Sequence, residues 1–304
     1  MSDQMKVGLV VIMADLPPSG TTPRYRAVRE VALEAEAAGF DSIWLADHLL
    51  YRVPNQPTGG IWECWTMLSA LAEATTRVEL GTWVACTQFR NPALLAKMAV
   101  TLDEVSNGRL TLGVGAGWNR PEFDAFGFPF DHRVDRFEEA LQIIAPLLRT
   151  GHVDFHGTYY QVHDCEIRPR GPREAGPPLM VAAFGPRMLR LAARYADIWN
   201  YGMVGKPDML AAPRAALEEA CKDVGRDLST LAITASIALA LPELGEVTHE
   251  VEGALTGSAQ EIAAALGGYA ALGVRHVMFE VLTYTPAALA RLTEALHIYR
   301  GQVG

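Results

Sequence analysis

The chain has 304 residues, half of them hydrophobic and 20% charged, enough apolar surface for a large core and a composition that excludes global disorder. Its formal net charge is -9, with acidic and basic residues mixed along the chain, which excludes a nucleic-acid footprint and a polybasic membrane anchor and points to a small-molecule partner. The opening MSDQMKVGLVVIM shows no basic leader or cleavage signal, and no stretch approaches ~20 apolar residues, so a cytoplasmic location is expected. Cys64, Cys86, Cys165 and Cys221 are widely spaced, without a CxxC or a nearby histidine pair; they are expected to be reduced thiols, with no metal site.

In chain order, short β-branched runs alternate with longer amphipathic ones about eight times, as parallel strands joined by helical crossovers require. Lys6 to Met13 predicts the first strand, and Tyr25 to Ala38 a helix with Val28, Val31, Ala32 and Ala35 on one face, closed by Gly39. Asp41 to Ala46 is the second strand. After a long loop a helix runs from about Trp62 to Ala74, and Val78 to Ala85 is the third strand. The next helix starts at Pro92, a favoured first position, and ends near Ser106. Arg109 to Gly115 forms strand four; an insertion rich in Gly, Phe and Pro follows, then a helix from His132 to Arg149.

From Val153 to Ile167 the period changes to near-alternation around a central glycine, the mark of a two-stranded excursion. Its Phe155, His156, Tyr159, Tyr160 and His163 are assigned to packing. Leu179 to Ala183, Asp197 to Tyr201, Leu231 to Ala240 and His276 to Leu282 supply strands five to eight; helices lie near Arg187 to Arg194, Pro207 to Lys222, Ser258 to Leu272 and Pro286 to Tyr299. The expected fold is α/β: a (β/α)8 TIM barrel over residues 1–304 as one domain, with an insertion after strand 4 and a β-hairpin excursion before strand 5. An open doubly wound sheet uses the same alternation, so closure does not follow from periodicity.

In a barrel the C-terminal strand ends carry the chemistry, and four places stand there. Asp47-His48 follows strand two; an imidazole titrates near neutrality and suits proton exchange beside a ring that gains or loses hydride, whereas the structural alternative is a capping Asp and a packed His. Ala85-Cys86-Thr87 ends strand three, where small residues admit a planar ring against the backbone; no cationic neighbour marks Cys86 as a nucleophile. Gly113-Val114-Gly115-Ala116-Gly117-Trp118-Asn119 follows strand four, with exposed amides and an indole able to wall an aromatic cofactor, but without the dinucleotide-binding fingerprint. Four residues beyond Trp118, Glu122 faces either substrate or solvent. Val181 to Arg187 runs from strand into helix, so the amides of Ala183, Phe184 and Gly185 with the Arg187 guanidinium suit a phosphate. Arg133 and Arg136 with Asp135, Glu138 and Glu139 look like a solvated ion-pair face.

At these residues the chain resembles the bacterial luciferase-like flavin and deazaflavin oxidoreductases, from about Lys6 to Leu282. GFDSIWLADHL (39–49), RNPALLAKMAVTLDEVSNGRLTLGVGAGWNRPEFDAFG (90–127), PPLMVAAFGPRMLRLAARYADIWN (177–200) and the late strand around Phe279 fall in the family's order, and the long second segment is the specific one. The resemblance implies a (β/α)8 barrel with an isoalloxazine-type ring at its C-terminal mouth, often as a homodimer, and a non-prolyl cis peptide at or beside Ala85-Cys86. It places Asp47 and His48 beside the ring, Ala85, Cys86, Gly115, Gly117 and Trp118 at the strand-three and strand-four contacts, and Ala183, Phe184, Gly185 and Arg187 at the phosphate or tail. The carboxylate that some deazaflavin members carry after the strand-four glycine is replaced here by Trp118, which leaves His48 and Glu122 as the catalytic candidates.

Chain length and the FDHRVDRFEEALQII segment resemble the deazaflavin branch, which implies hydride transfer between coenzyme F420 and a small organic substrate. Monooxygenation with reduced FMN is the alternative, and a non-catalytic flavin-binding subunit a second one.

Overall fold

A computed structural model describes residues 4–15, 20–52 and 55–303. Its strands are β1 (Lys6–Val10), β2 (Ser42–Leu45), β3 (Glu79–Thr82), β4 (Ala85–Cys86), β5 (Leu110–Gly115), β6 (His152–His156), β7 (Gln161–Glu166), β8 (Leu179–Ala182), β9 (Ile198–Val204), β10 (Ala232–Leu239) and β11 (His276–Val281). Its α-helices are α1 (Tyr25–Ala38), α2 (Cys64–Ala74), α3 (Pro92–Val105), α4 (Arg120–Phe126), α5 (Arg133–Arg149), α6 (Gly185–Tyr195), α7 (Ala211–Asp223), α8 (Ala259–Ala271) and α9 (Pro286–Val303).

The parallel ladder runs β3-β2-β1-β11-β10-β9-β8-β5, and β3 pairs again with β5 through Leu80 and Gly81. That pairing closes a TIM barrel, which leaves the main sheet without an edge strand. The third strand position is split into β3 and β4, and the non-prolyl cis peptide lies in the gap, between Trp83 and Val84, just before the Ala85-Cys86 position expected for it.

Both faces of each barrel strand are buried, so the two faces fill differently. Outward residues such as Val7, Leu9, Ile43, Leu80, Leu112, Val181 and Val277 join the main core with the helices. Inward, Val10, Trp44, Met180 and Met278 form a separate cluster. Trp44 fits because its neighbours are glycines: a Cβ on Gly81 would lie 2.1 Å from the indole, and one on Gly8 would lie 2.1 Å from Ser42 Oγ. Large and small side chains thus share each level of the interior, which packs it solid. The indole nitrogen donates to Ser42 Oγ at 2.7 Å, and Ser42 Oγ also meets His276 Nε2 at 2.7 Å. No buried donor is orphaned there.

Caps end the elements where the sequence signals them. Asn91 caps α3 ahead of Pro92, Glu63 caps α2, Ser258 and Glu261 form a reciprocal capping box on α8, and Gly39 closes α1 at φ 97°. Two features went unpredicted: the insertion after β5 contains the short helix α4, and α6 begins at Gly185 rather than Arg187. The hairpin β6–β7 is antiparallel, as expected. Its Phe155 and Tyr160 pack on the core, but His156 and His163 lie on the solvent face with Asp154, because successive strand residues point to opposite sides. They are therefore not packing residues. Among the described residues, no helix is long and apolar enough to cross a membrane.

Candidate active site

Above the Trp44 level the interior turns polar. The indole of Trp83, at the end of β3, reaches across the barrel and donates to Ser236 Oγ of β10 at 2.6 Å. Ser236 donates onward to Asn200 Oδ1 at 3.2 Å, Asn200 Nδ2 to Thr234 Oγ1 at 3.1 Å, and Thr234 to the Trp199 carbonyl at 3.1 Å. Each polar group in this chain is satisfied, so Trp83 is held as a rigid floor beneath the strands' C-terminal ends.

One wall rises from β2. His48 Nδ1 lies 2.9 Å from Glu122 Oε1, while Glu122 Oε2 accepts the Leu49 amide at 2.9 Å. A carboxylate accepts both bonds, so Nδ1 carries the imidazole proton and Nε2 remains for another partner. Glu122 is 1% exposed on α4, behind His48 and away from solvent. Tyr51 and Trp118 flank the imidazole, with ring centroids 4.9 and 5.4 Å from it. Trp118 is 67% exposed, at the rim.

Asp47, although adjacent in sequence, points away. Its carboxylate takes both guanidinium nitrogens of Arg90, at 2.7 and 2.9 Å, and the Cys86 amide at 3.0 Å. Arg90 also reaches Glu63, the cap of α2, at 2.7 Å. Burial works against the Arg90 charge, but Asp47 and then Glu63 outweigh it and raise its pKa. This network ties the ends of β2 and β4 to the start of α2. Cys86 sits in an aromatic cluster with Phe89 and Phe123; burial pushes its thiol up to about 12, so it is no nucleophile.

The opposite wall is made of small residues. The ladder sets Ala85, Val114 and Val181 in one row, so the tips of β4, β5 and β8 are neighbours. The Ala85 and Ala183 methyls are buried in the helix-side core. A Cβ on Gly202 of β9 would meet only Phe184 and Ser236, at 3.6 and 4.0 Å, in ordinary contact. Gly115 stands beside Val84, and Gly117, at φ 70°, has no room for a Cβ against Phe123 and Cys86. Arg133 donates to the Gly117 carbonyl from α5 and so anchors this loop. Phe184 is 53% exposed and packs on Tyr201, with centroids 5.0 Å apart.

The first turn of α6 opens at Gly185, with no side chain capping its amides. Arg187 does not stand over them alone: it pairs with Asp135 at 2.6 Å and Glu138 at 2.7 Å. Those two carboxylates, assigned from sequence to a surface ion-pair face, thus reach one of the candidate tail contacts.

The site also contains residues that sequence reasoning missed: Trp83, Ser236, Tyr51 and Glu280. Glu280 lies at the C-terminal end of β11 on the face that Met278 turns inward, in register with Ala238 of β10. Burial pushes its carboxyl up to about 7, and Oε2 has no hydrogen-bond partner among the described residues. Burial first, then the charges of Glu122 and Glu280, raises the Tyr51 phenol. A charged residue at an inward position of a late strand was the available signal.

A sequence profile of the family described as "Luciferase-like monooxygenase" matches residues 5–251. The chain is 32% identical over 230 residues to "Pyrimidine monooxygenase RutA" of Rhizobium rhizogenes, covering 71% of this chain and 61% of that protein. It is 38% identical over 178 residues to "F420-dependent glucose-6-phosphate dehydrogenase" of Amycolatopsis mediterranei, covering 57% of this chain and 52% of that protein. The chain thus spans between half and two thirds of the length of these relatives. Among solved structures, an F420-dependent secondary alcohol dehydrogenase with a bound F420-acetone adduct superposes with a TM-score of 0.80 at 20% identity, over 98% of this chain and 99% of that one.

Proposed function

The chain belongs to the luciferase-like monooxygenase family, and from that premise we propose that it is an oxidoreductase transferring a hydride between coenzyme F420 and a small organic substrate at the barrel mouth. The observation that carries the reading is the His48–Glu122 pair. The buried carboxylate fixes the imidazole tautomer and aims Nε2 away from itself, as a group that exchanges a proton beside a reacting centre requires. The similarity to an F420-dependent dehydrogenase supports the cofactor choice.

The residues present fit such a ring. Gly202 leaves room beside Phe184 and Ser236, while Val84 fills the space beside Gly115; Trp83 supplies a flat floor, and Trp118 and Phe184 provide exposed aromatic faces at the rim. Bound there, F420 supplies hydride exchange without the oxygen adduct of reduced FMN, because carbon replaces the central nitrogen of the flavin ring. The chain's own part is to hold substrate between the His48 wall and the glycine wall, to exclude water with the rim aromatics, and to give or take a proton at His48 Nε2. The uncapped amides of α6 seat an anionic tail, with Arg187 shared between that tail and Asp135 and Glu138.

Reduced-FMN monooxygenation is the second reading, favoured by the likeness to a pyrimidine monooxygenase. Parallel titration with F420 and FMN in both oxidation states, followed by turnover with and without oxygen, separates the two. Saturable F420 binding with oxygen-indifferent turnover is expected. Turnover that requires both reduced FMN and oxygen overturns the hydride reading.

A further inference from the structure

Among the described residues, several charged groups around the mouth are paired. Asp47 is paired with Arg90, Glu122 with His48, and Arg187 with Asp135 and Glu138. Glu280 retains 15% side-chain exposure, and its nearest cationic candidate, His249 Nε2 on the loop after β10, is 4.0 Å from Oε1, too far for a hydrogen bond. Burial lowers the His249 pKa, which weakens this ring as a counter-charge. Tyr51 is a further titratable group near it, since the charges of both Glu122 and Glu280 act on its phenol. A buried carboxyl oxygen without a partner among the described residues is costly to fold around, and this one lies on the inward face at the C-terminal end of β11, the end of the barrel at which His48 follows β2. Its complement is a donor brought by a ligand.

We propose that Glu280 is a specificity-determining residue, and that the substrate carries, beside its reacting carbinol or carbonyl carbon, a second group with a hydrogen-bond donor, a hydroxyl or a protonated amine, which the Glu280 carboxylate accepts. The assignment rests on the hydride-transfer reading for the reacting carbon, but not for the donor itself. His48 serves the reacting centre and Glu280 fixes the substrate from the β11 side, so two-point binding orients the carbon between them. A carboxylate accepts such a bond more strongly than a neutral carboxyl, so binding strengthens as pH rises through about 7, the value to which burial lifts Glu280.

Two measurements on wild type, Glu280→Gln and Glu280→Leu test this. In the ligand-free protein, the wild-type unfolding midpoint is expected to fall, relative to both variants, as pH rises from about 4.5 to about 7 and to level off above that. Parallel curves for all three proteins overturn the assignment of an unpaired buried carboxyl. In the F420-loaded protein, 2-propanol, 1,2-propanediol and 1-amino-2-propanol present the same carbinol with no, one neutral or one charged extra donor. Wild type is expected to prefer the two donor-bearing probes by about ten-fold or more in kcat/KM, mainly through KM, and the preference ratio is expected to collapse in Glu280→Leu. A ratio that survives Glu280→Leu, or is absent from wild type, overturns the proposal; the larger of the two preferences identifies the donor. Failure of wild type to turn over all three probes overturns the hydride reading alone. Calorimetric titration of 1-amino-2-propanol then decides the donor site, with binding lost in Glu280→Leu supporting it and equal or undetectable binding overturning it.

Discussion

His48 and Cys86 stand close in the fold and have opposite chemistry. The imidazole has a buried carboxylate fixing one nitrogen, while the thiol is enclosed by aromatics and held protonated. Replacing His48 with Ala is expected to lower turnover by about 10²- to 10⁴-fold, the usual weight of a general acid or base. F420 affinity, measured by fluorescence titration, should stay within a few-fold; unchanged turnover would remove His48 from the reaction. Thiol reactivity follows burial. Iodoacetamide on the native protein should modify Cys165, the one partly exposed cysteine, before Cys64, Cys86 and Cys221, with peptide mass mapping as the readout. Rapid labelling of Cys86 would contradict its placement. The identity of His48 as a candidate was legible from its place after a strand, whereas its support was not, since Glu122 is 74 residues away.

At the level of elements, the Asp47–Arg90–Glu63 network joins three pieces of chain, the ends of β2 and β4 and the start of α2. Asp47 and Arg90 are 0% and 11% exposed, so removing the cation leaves a buried, unbalanced carboxylate. Arg90→Met is expected to cost about 3–5 kcal/mol in urea unfolding, and adding Asp47→Asn should recover part of it. If the double variant is as unstable as the sum of the single ones, the two residues are not coupled. Asp47 shows the limit of reading function from adjacency: it neighbours His48 and ends a strand, yet its side chain turns from the mouth because Arg90, 43 residues on, is there to receive it. The strand and helix order, the capping residues and the hairpin were all legible from local periodicity and turn chemistry. The short α4 was not, because its seven residues lie within a Gly-, Phe- and Pro-rich stretch that lacks a clear helical period.

For the molecule as a whole, the barrel's lower interior couples folding to pH. His276 is buried against Ser42 and Trp44; burial, with Lys6 adding repulsion, lowers its pKa to about 3. Unfolded, the same imidazole takes up a proton near pH 6.5. The folded state binds fewer protons between these values, so this contribution is complete above about pH 6.5 and is lost as pH falls toward about 3, on the order of a few kcal/mol in all. A His276→Gln variant should lose less stability than wild type between pH 6.5 and 4 in denaturant titrations. Equal losses would show that His276 is not held neutral.

The sequence by itself determined the alternation of strand and helix, the insertion, the hairpin and the chain segments that end strands, because those depend on period, caps and turn residues within a dozen positions. Only the tertiary structure decided closure, and with it which buried residues face inward. Strands buried on both faces carry nearly the same apolar signal on each, so periodicity cannot tell the barrel interior from the helix side. Trp83 meets Ser236 across 153 residues, and Glu280 reaches the mouth only because β11 pairs with β1 and β10.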